Sequence, residues 1–186
     1  MHLLRLFILY LIFIPIPFVQ ASFIDTEAET AVIIDATTGK VLFEKEMNKK
    51  TYPASMTKIM TTLIVFEKLS NGTLSLDDKF LVSEKAWRER EGSSMFVEVD
   101  KEIRVEDLLR GIIVQSGNDA CIVIAENIAG SEEAFAIIMT SKAKEIGMLN
   151  TNFTNSTGMH SNEKYSTVYD SAIFSQDLIN NFPEYY

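Results

Sequence analysis

The spacing of apolar and polar positions changes along the chain, and each change marks an element. Thr30 to Asp35 is rich in β-formers, Ala36 to Lys40 carries a Thr-Thr-Gly turn, and Val41 to Lys45 resumes the extended pattern. Together they predict a β-hairpin. From Met56 to Leu69 no breaker occurs, with Pro53 just ahead and Asn71-Gly72 just behind, the usual brackets of a helix. Its apolar residues (Met56, Ile59, Met60, Leu63, Ile64, Val65, Phe66) fall on several sides, so this helix is expected inside the domain. Asp77 to Arg90 is more polar and reads as a turn with a short helix, and Phe96 to Val99 reads as a short strand.

Val105, Leu108, Leu109, Ile112 and Ile113 then keep the i, i+3, i+4, i+7, i+8 rhythm of an amphipathic helix. Ser116-Gly117-Asn118 interrupts it, and Asp119 to Ala129 restarts a helix closed by Gly130. Ser131 to Ile146, with an acidic first turn, is another helix, ended by Gly147. Asn150 to Tyr165 is loop, and Thr167 to Asn181 is helical. An initial hairpin followed by a mostly helical stretch is an α/β (α+β) arrangement.

The N-terminus stands apart. His2 and Arg5 begin it, Leu6 to Val19 follow without a charge, and Val19-Gln20-Ala21 places small residues where a signal peptidase looks. Residues 1–21 therefore read as a secretory signal peptide, and residues 22–186 as the folded part. The competing reading is an uncleaved anchor, against which stand Pro15, Pro17 and a run shorter than the ~20 residues of a span.

Composition narrows the function. The net charge is -9 with no basic stripe, which argues against a nucleic-acid partner. Cys121 is the only cysteine, so no internal disulfide can form, and its apolar neighbours give it the character of a packed helical residue. Of two histidines, His2 falls in the N-terminal segment and His160 stands in a polar loop. No His or Cys pair has metal-ligand spacing and no glycine-rich phosphate cradle occurs, so neither a metal nor another cofactor is expected. A serine hydrolase built on these residues would need a base other than histidine.

Lysine can serve. A Ser at the first turn of a helix and a Lys three residues later share a face. Desolvation lowers the lysine's pKa so that it can take the serine's proton, and the helix N-terminus favours the oxyanion. Ser55 and Lys58 fit, with Pro53 ahead and apolar flanks. Ser-x-x-Lys is nonetheless a common pattern, and it recurs at Ser141/Lys144 and Ser161/Lys164. The first of these lies on a Glu- and Lys-rich surface helix and the second in a loop, where nothing fixes the pair. Ser116-Gly117-Asn118 is the only Ser-x-Asn. It is either a helix–helix turn with its cap or a second part of the same site.

A Ser-x-x-Lys followed by a Ser-x-Asn is the ordered signature of β-lactamases and penicillin-binding proteins. With the stretches Tyr52 to Lys58, Gly92 to Met95, Gln115 to Ala120, Asn155 to Gly158 and Tyr165 to Thr167, the chain resembles the D-alanyl-D-alanine carboxypeptidase family of low-molecular-weight penicillin-binding proteins. The resemblance covers most of the chain after residue 21. It implies a β-lactamase/DD-peptidase-like fold, a mainly antiparallel sheet with helices on its faces and a helical lobe beside it. It also implies that Ser55 attacks the carbonyl between the two terminal D-alanines of a peptidoglycan stem peptide. Lys58 would be the base, Ser116 would relay the proton to the leaving group, and Asn118 would bind the substrate backbone. Water would release the shortened peptide, and β-lactam antibiotics would acylate the same serine. The remaining stretches are expected to shape loops around the site, and the enzyme to act in the periplasm or on the outer face of the cytoplasmic membrane.

The family's third motif, Lys-Thr-Gly, does not occur in the 186 residues. In the family it lies on a strand beyond the equivalent of Phe182 to Tyr186, where it supplies a cation for the substrate carboxylate and a second oxyanion N–H. Residues 22–186 are thus expected to form a partial catalytic domain with later sheet strands missing and an open hairpin edge. Two readings stand: a carboxypeptidase, in fragment form or completed by further sequence, or a non-catalytic truncated remnant or peptidoglycan- or penicillin-binding module that lacks the Lys-Thr-Gly strand and does not turn over.

Overall fold

The computed structural model describes residues 24–89 and 91–186. Residues 1–21, expected from the sequence to be a signal peptide, lie outside the described residues. Strands β1 (Ala31–Ile34) and β2 (Val41–Lys45) form the expected antiparallel hairpin, with Ile33 opposite Phe43. Its turn is built by Asp35, whose carboxylate accepts from the backbone N–H and hydroxyl of Thr38, each at 2.7 Å. Ile33 and Leu42 remain exposed, and among the described residues no third strand joins this sheet.

The rest is a helical lobe. Helix α1 (Thr57–Ser70) follows a short 3-10 turn at Ala54–Met56, and α2 (Glu84–Arg88) and α3 (Val105–Gln115) come next. They are followed by α4 (Asn118–Ala129), α5 (Glu132–Glu145) and α6 (Val168–Asn181). Helix α1 is buried on several sides, as its pattern predicts: Met60, Leu63 and Val65 are fully covered. Helix α4 is buried over its first eight residues, Asn118 to Ala125. Phe135 and Met139 of α5, Leu108 of α3 and Phe174 of α6 complete the core. Cys121 sits in that core, and burial pushes its thiol up to about 12, so it behaves as a small apolar residue. No helix among the described residues is long and apolar enough to cross a membrane.

One local expectation fails. Phe96 to Val99 is irregular, and the strand instead is β4 (Glu102–Arg104), paired antiparallel with β3 (Lys79–Leu81). The buried carboxylate of Asp119 accepts from the backbone N–H of Met95 and of Val97, both at 3.0 Å, and from the Ser94 hydroxyl at 2.6 Å. Donors committed to a side chain are lost to a ladder, and Phe96 adopts a left-handed φ of 63°. The true strands have three residues each, too few to display a period of two.

Asp119→Ala should therefore cost about 3 kcal/mol or more, because it strands several donors that share one charged acceptor. Urea unfolding measures this. A loss below ~1 kcal/mol would mean that water or relaxation satisfies those groups.

Candidate active site

Pro53, at φ -70°, precedes the 3-10 turn, and Ala54 then takes a left-handed φ of 46°. That bend presents Ser55 on the surface at the head of α1, while Lys58, one turn later, is only 5% exposed. Lys58 Nζ lies 3.2 Å from Ser55 Oγ and donates to the Thr157 carbonyl at 2.7 Å. Burial lowers its pKa from that of a free lysine, because the ammonium has lost water. A neutral amine at this distance can accept the serine's proton.

Ser116 closes α3 with a left-handed φ of 56°, so the sharp bend falls on the serine and not on the glycine after it. Gly117 is needed for space: a Cβ there would lie 3.0 Å from Asp119 Oδ1 and 3.2 Å from the Gly111 carbonyl. Asn118 is buried, and its amide Nδ2 donates to the Glu91 carbonyl at 2.7 Å. The four residues expected from the sequence, Ser55, Lys58, Ser116 and Asn118, line one cavity of about 380 Å³. A second, more apolar cavity of about 450 Å³ adjoins it along Ser55, Lys58 and Ser116 and is lined further by Phe66 and Leu178.

The back wall of the site is the 155–159 turn. Its Gly158 has φ 91° and lies against the 3-10 turn that carries Ser55, where a Cβ would stand 2.0 Å from the Ala54 carbonyl oxygen. Ser156 is fixed by Glu132, which accepts from its N–H at 3.1 Å and its hydroxyl at 2.8 Å, while Thr61 of α1 donates to the Ser156 carbonyl at 2.8 Å. Lys85 approaches the far oxygen of Glu132 at 3.2 Å.

One lysine was missed. Lys164, expected in a loop that fixes nothing, is 1% exposed and lines the same cavity as Ser55 and Lys58. Burial, and then the Lys58 cation, bring its pKa down to about 8. The surrounding Ser-Asn-Glu-Lys reads as solvated loop, and no local pattern announces the burial. Lys144, by contrast, stays exposed as expected. Among the described residues no group of three His, Cys, Asp or Glu could hold a metal ion.

Known proteins share this arrangement of chain. Residues 18–186 match the model of a family described as D-alanyl-D-alanine carboxypeptidase. The D-alanyl-D-alanine carboxypeptidase DacF of Bacillus subtilis is 46% identical over 153 residues, which are 82% of this chain and 39% of that protein. The crystal structure of the D-alanyl-D-alanine carboxypeptidase DacD from Francisella tularensis superposes with a TM-score of 0.85 at 42% identity, over 88% of this chain and 39% of that one. Penicillin-Binding Protein D2 from Listeria monocytogenes, in its ampicillin-bound form, gives a TM-score of 0.73 at 28% identity, over 84% of this chain and 63% of that one. The chain spans 39% of the length of DacF.

Proposed function

This chain belongs to the D-alanyl-D-alanine carboxypeptidase family, and from that premise we propose that it is a penicillin-sensitive serine hydrolase that trims terminal D-alanine from peptidoglycan stem peptides. The observation that carries the proposal is the exposed Ser55 beside the buried Lys58, 3.2 Å apart at the head of one helix. Neutral Lys58 takes the hydroxyl proton as Ser55 Oγ attacks the carbonyl carbon of the penultimate D-alanine. The Ser55 backbone N–H, at the start of the helix, is the oxyanion donor that this chain supplies. As the tetrahedral intermediate collapses, the C–N bond breaks and the proton passes from Lys58 through Ser116 to the departing amine. Terminal D-alanine leaves and an ester to Ser55 remains, which water hydrolyses. The Asn118 amide, steadied through its Nδ2, binds the backbone of the acyl donor. A β-lactam follows the first half of this path, its ring amide taking the place of the peptide bond, as the ampicillin complex of the Listeria relative suggests. No cofactor enters the scheme. The reaction would take place in the periplasm or on the outer face of the cytoplasmic membrane, a location supported by the signal-peptide pattern of residues 1–21.

A second reading is a module that is acylated, or binds, without turnover. Intact mass after incubation with a penicillin, beside a Ser55→Ala control, tests the first half-reaction, and release of D-alanine from a peptide ending in D-Ala-D-Ala tests the second. A drug-sized adduct lost in Ser55→Ala, with D-alanine released, is the expected result. An adduct without release would favour the binding module, and a folded protein with no adduct would remove Ser55 as nucleophile.

A further inference from the structure

Lys164 is the one fully buried lysine of the site, and the sequence offers no role for it. Its ammonium donates to the Met159 carbonyl and, at 3.5 Å, to Asn155 Oδ1. Those two acceptors belong to a closed set. Asn155 Nδ2 donates to the same Met159 carbonyl at 2.9 Å, and Asn155 Oδ1 accepts from the Gly158 N–H at 2.9 Å. The Met159 N–H donates to the Thr157 hydroxyl at 3.1 Å. Lys164 thus grips one end of the 155–159 turn, and Glu132 grips the other end at Ser156. Between the two grips the Thr157 carbonyl meets Lys58 Nζ at 2.7 Å.

An ammonium taken out of water costs several kcal/mol unless its hydrogen bonds and neighbouring charges compensate. Here it lies near a second buried cation, Lys58, which opposes its charge, and only Glu132 among the charged groups around it favours that charge. A surface lysine would avoid that cost. What the buried position supplies is a donor at the point where the turn's acceptors converge.

We propose that Lys164 is a positioning residue of the Ser55 site, clamping the 155–159 turn so that the Thr157 carbonyl stays on Lys58. The proposal deepens the serine-hydrolase reading and rests on it for its consequence in catalysis. The clamp itself can be read without catalysis.

The experiment compares the wild-type protein with Lys164→Met, which keeps the length of the stem and removes every donor, and Lys164→Gln, which keeps a donor one atom nearer the backbone. Amide hydrogen exchange on unreacted protein reads the clamp, and the rate of Ser55 acylation by a penicillin reads its effect. In Lys164→Met the amides of Gly158 and Met159 should exchange at least tenfold faster while those within α1 and α4 do not change, and acylation should fall at least tenfold. Lys164→Gln should recover most of both, which distinguishes a directed hydrogen bond from simple filling of space. Unchanged exchange in Lys164→Met, or equal losses in both variants with the helices intact, would overturn the proposal. If Lys164→Met does not fold, Lys164→Gln decides it: loss of protection at Gly158 and Met159 with recovery of helix protection would count against the clamp. A wild-type protein that is not acylated, with the exchange pattern as expected, would leave the clamp standing and remove the hydrolase reading instead.

Discussion

Replacing Lys58 by methionine should slow acylation of Ser55 by a penicillin about a thousandfold, the middle of the range for loss of a general base. Methionine matches the length of the lysine stem and fills the same space, so the fold should survive. The replacement leaves the Thr157 carbonyl without its donor but also removes a cation that burial disfavours. The pH dependence adds a second check. Only the neutral amine can take a proton, so the wild-type rate should rise with pH along a limb centred below the ordinary lysine value of 10.5. Stability should move the same way. The unfolded chain holds its Lys58 proton more tightly than the folded one, so between the lowered folded pKa and 10.5 the unfolded state binds more protons and wild-type stability rises with pH. Lys58→Met should lack that contribution. Rates of adduct formation across a pH series, with unfolding midpoints at the same pH values, measure both. A flat profile, or a Lys58→Met protein acylated at the wild-type rate, would rule out this lysine as the base.

Much of this site can be read in sequence because its parts are local. Ser55 and Lys58 share one turn of one helix, and Ser116 to Asn118 is a single break between two helices, so spacing alone places each pair. The union of the two pairs in one cavity is not local, and there the family resemblance of the flanking stretches contributed what periodicity does not hold. The back wall is less legible. Thr157 reaches Lys58 across 99 residues of chain, and Ser156 meets Thr61 across 95. Its residues are Asn, Ser, Thr and Gly, which in any sequence announce only a turn. Lys164 was hidden for the same reason, since its buried ammonium is met by Asn155 and Met159 of the 155–159 turn and nothing in its sequence neighbours announces that. The helices were read correctly where buried apolar residues recur over three or more turns. The misplaced strand at Phe96 to Val99 shows the opposite case. A stretch of β-forming composition there is overruled by Asp119, more than twenty residues away, whose carboxylate takes the amides that a partner strand would need.

Gly158→Ala is the smallest change that should disable the site, and its expected effect is about a hundredfold or more on acylation together with about 2–4 kcal/mol of stability. Two causes combine at this position. At φ 91° an L-residue is strained wherever it sits, which accounts for ~1–2 kcal/mol. The added Cβ would also stand 2.0 Å from the Ala54 carbonyl oxygen, 2.6 Å from the Ala54 carbonyl carbon and 3.1 Å from the Ser55 nitrogen. All three are backbone atoms and cannot rotate aside as a side-chain end would. Either the 155–159 turn retreats, drawing the Thr157 carbonyl off Lys58, or the 3-10 turn does, moving Ser55 itself. Gly130→Ala separates the two causes, because Gly130 has φ 81° at the end of α4 but nothing within 4 Å of its would-be Cβ. That variant should lose stability from strain alone and keep its acylation rate. Thermal midpoints and penicillin adduct rates of the two variants therefore isolate the collision. Equal behaviour of Gly158→Ala and Gly130→Ala would mean that the close backbone approach does not hold Ser55 in place. A selective loss in Gly158→Ala would show that the geometry of the nucleophile is set from outside its own helix, by a turn about a hundred residues further along the chain.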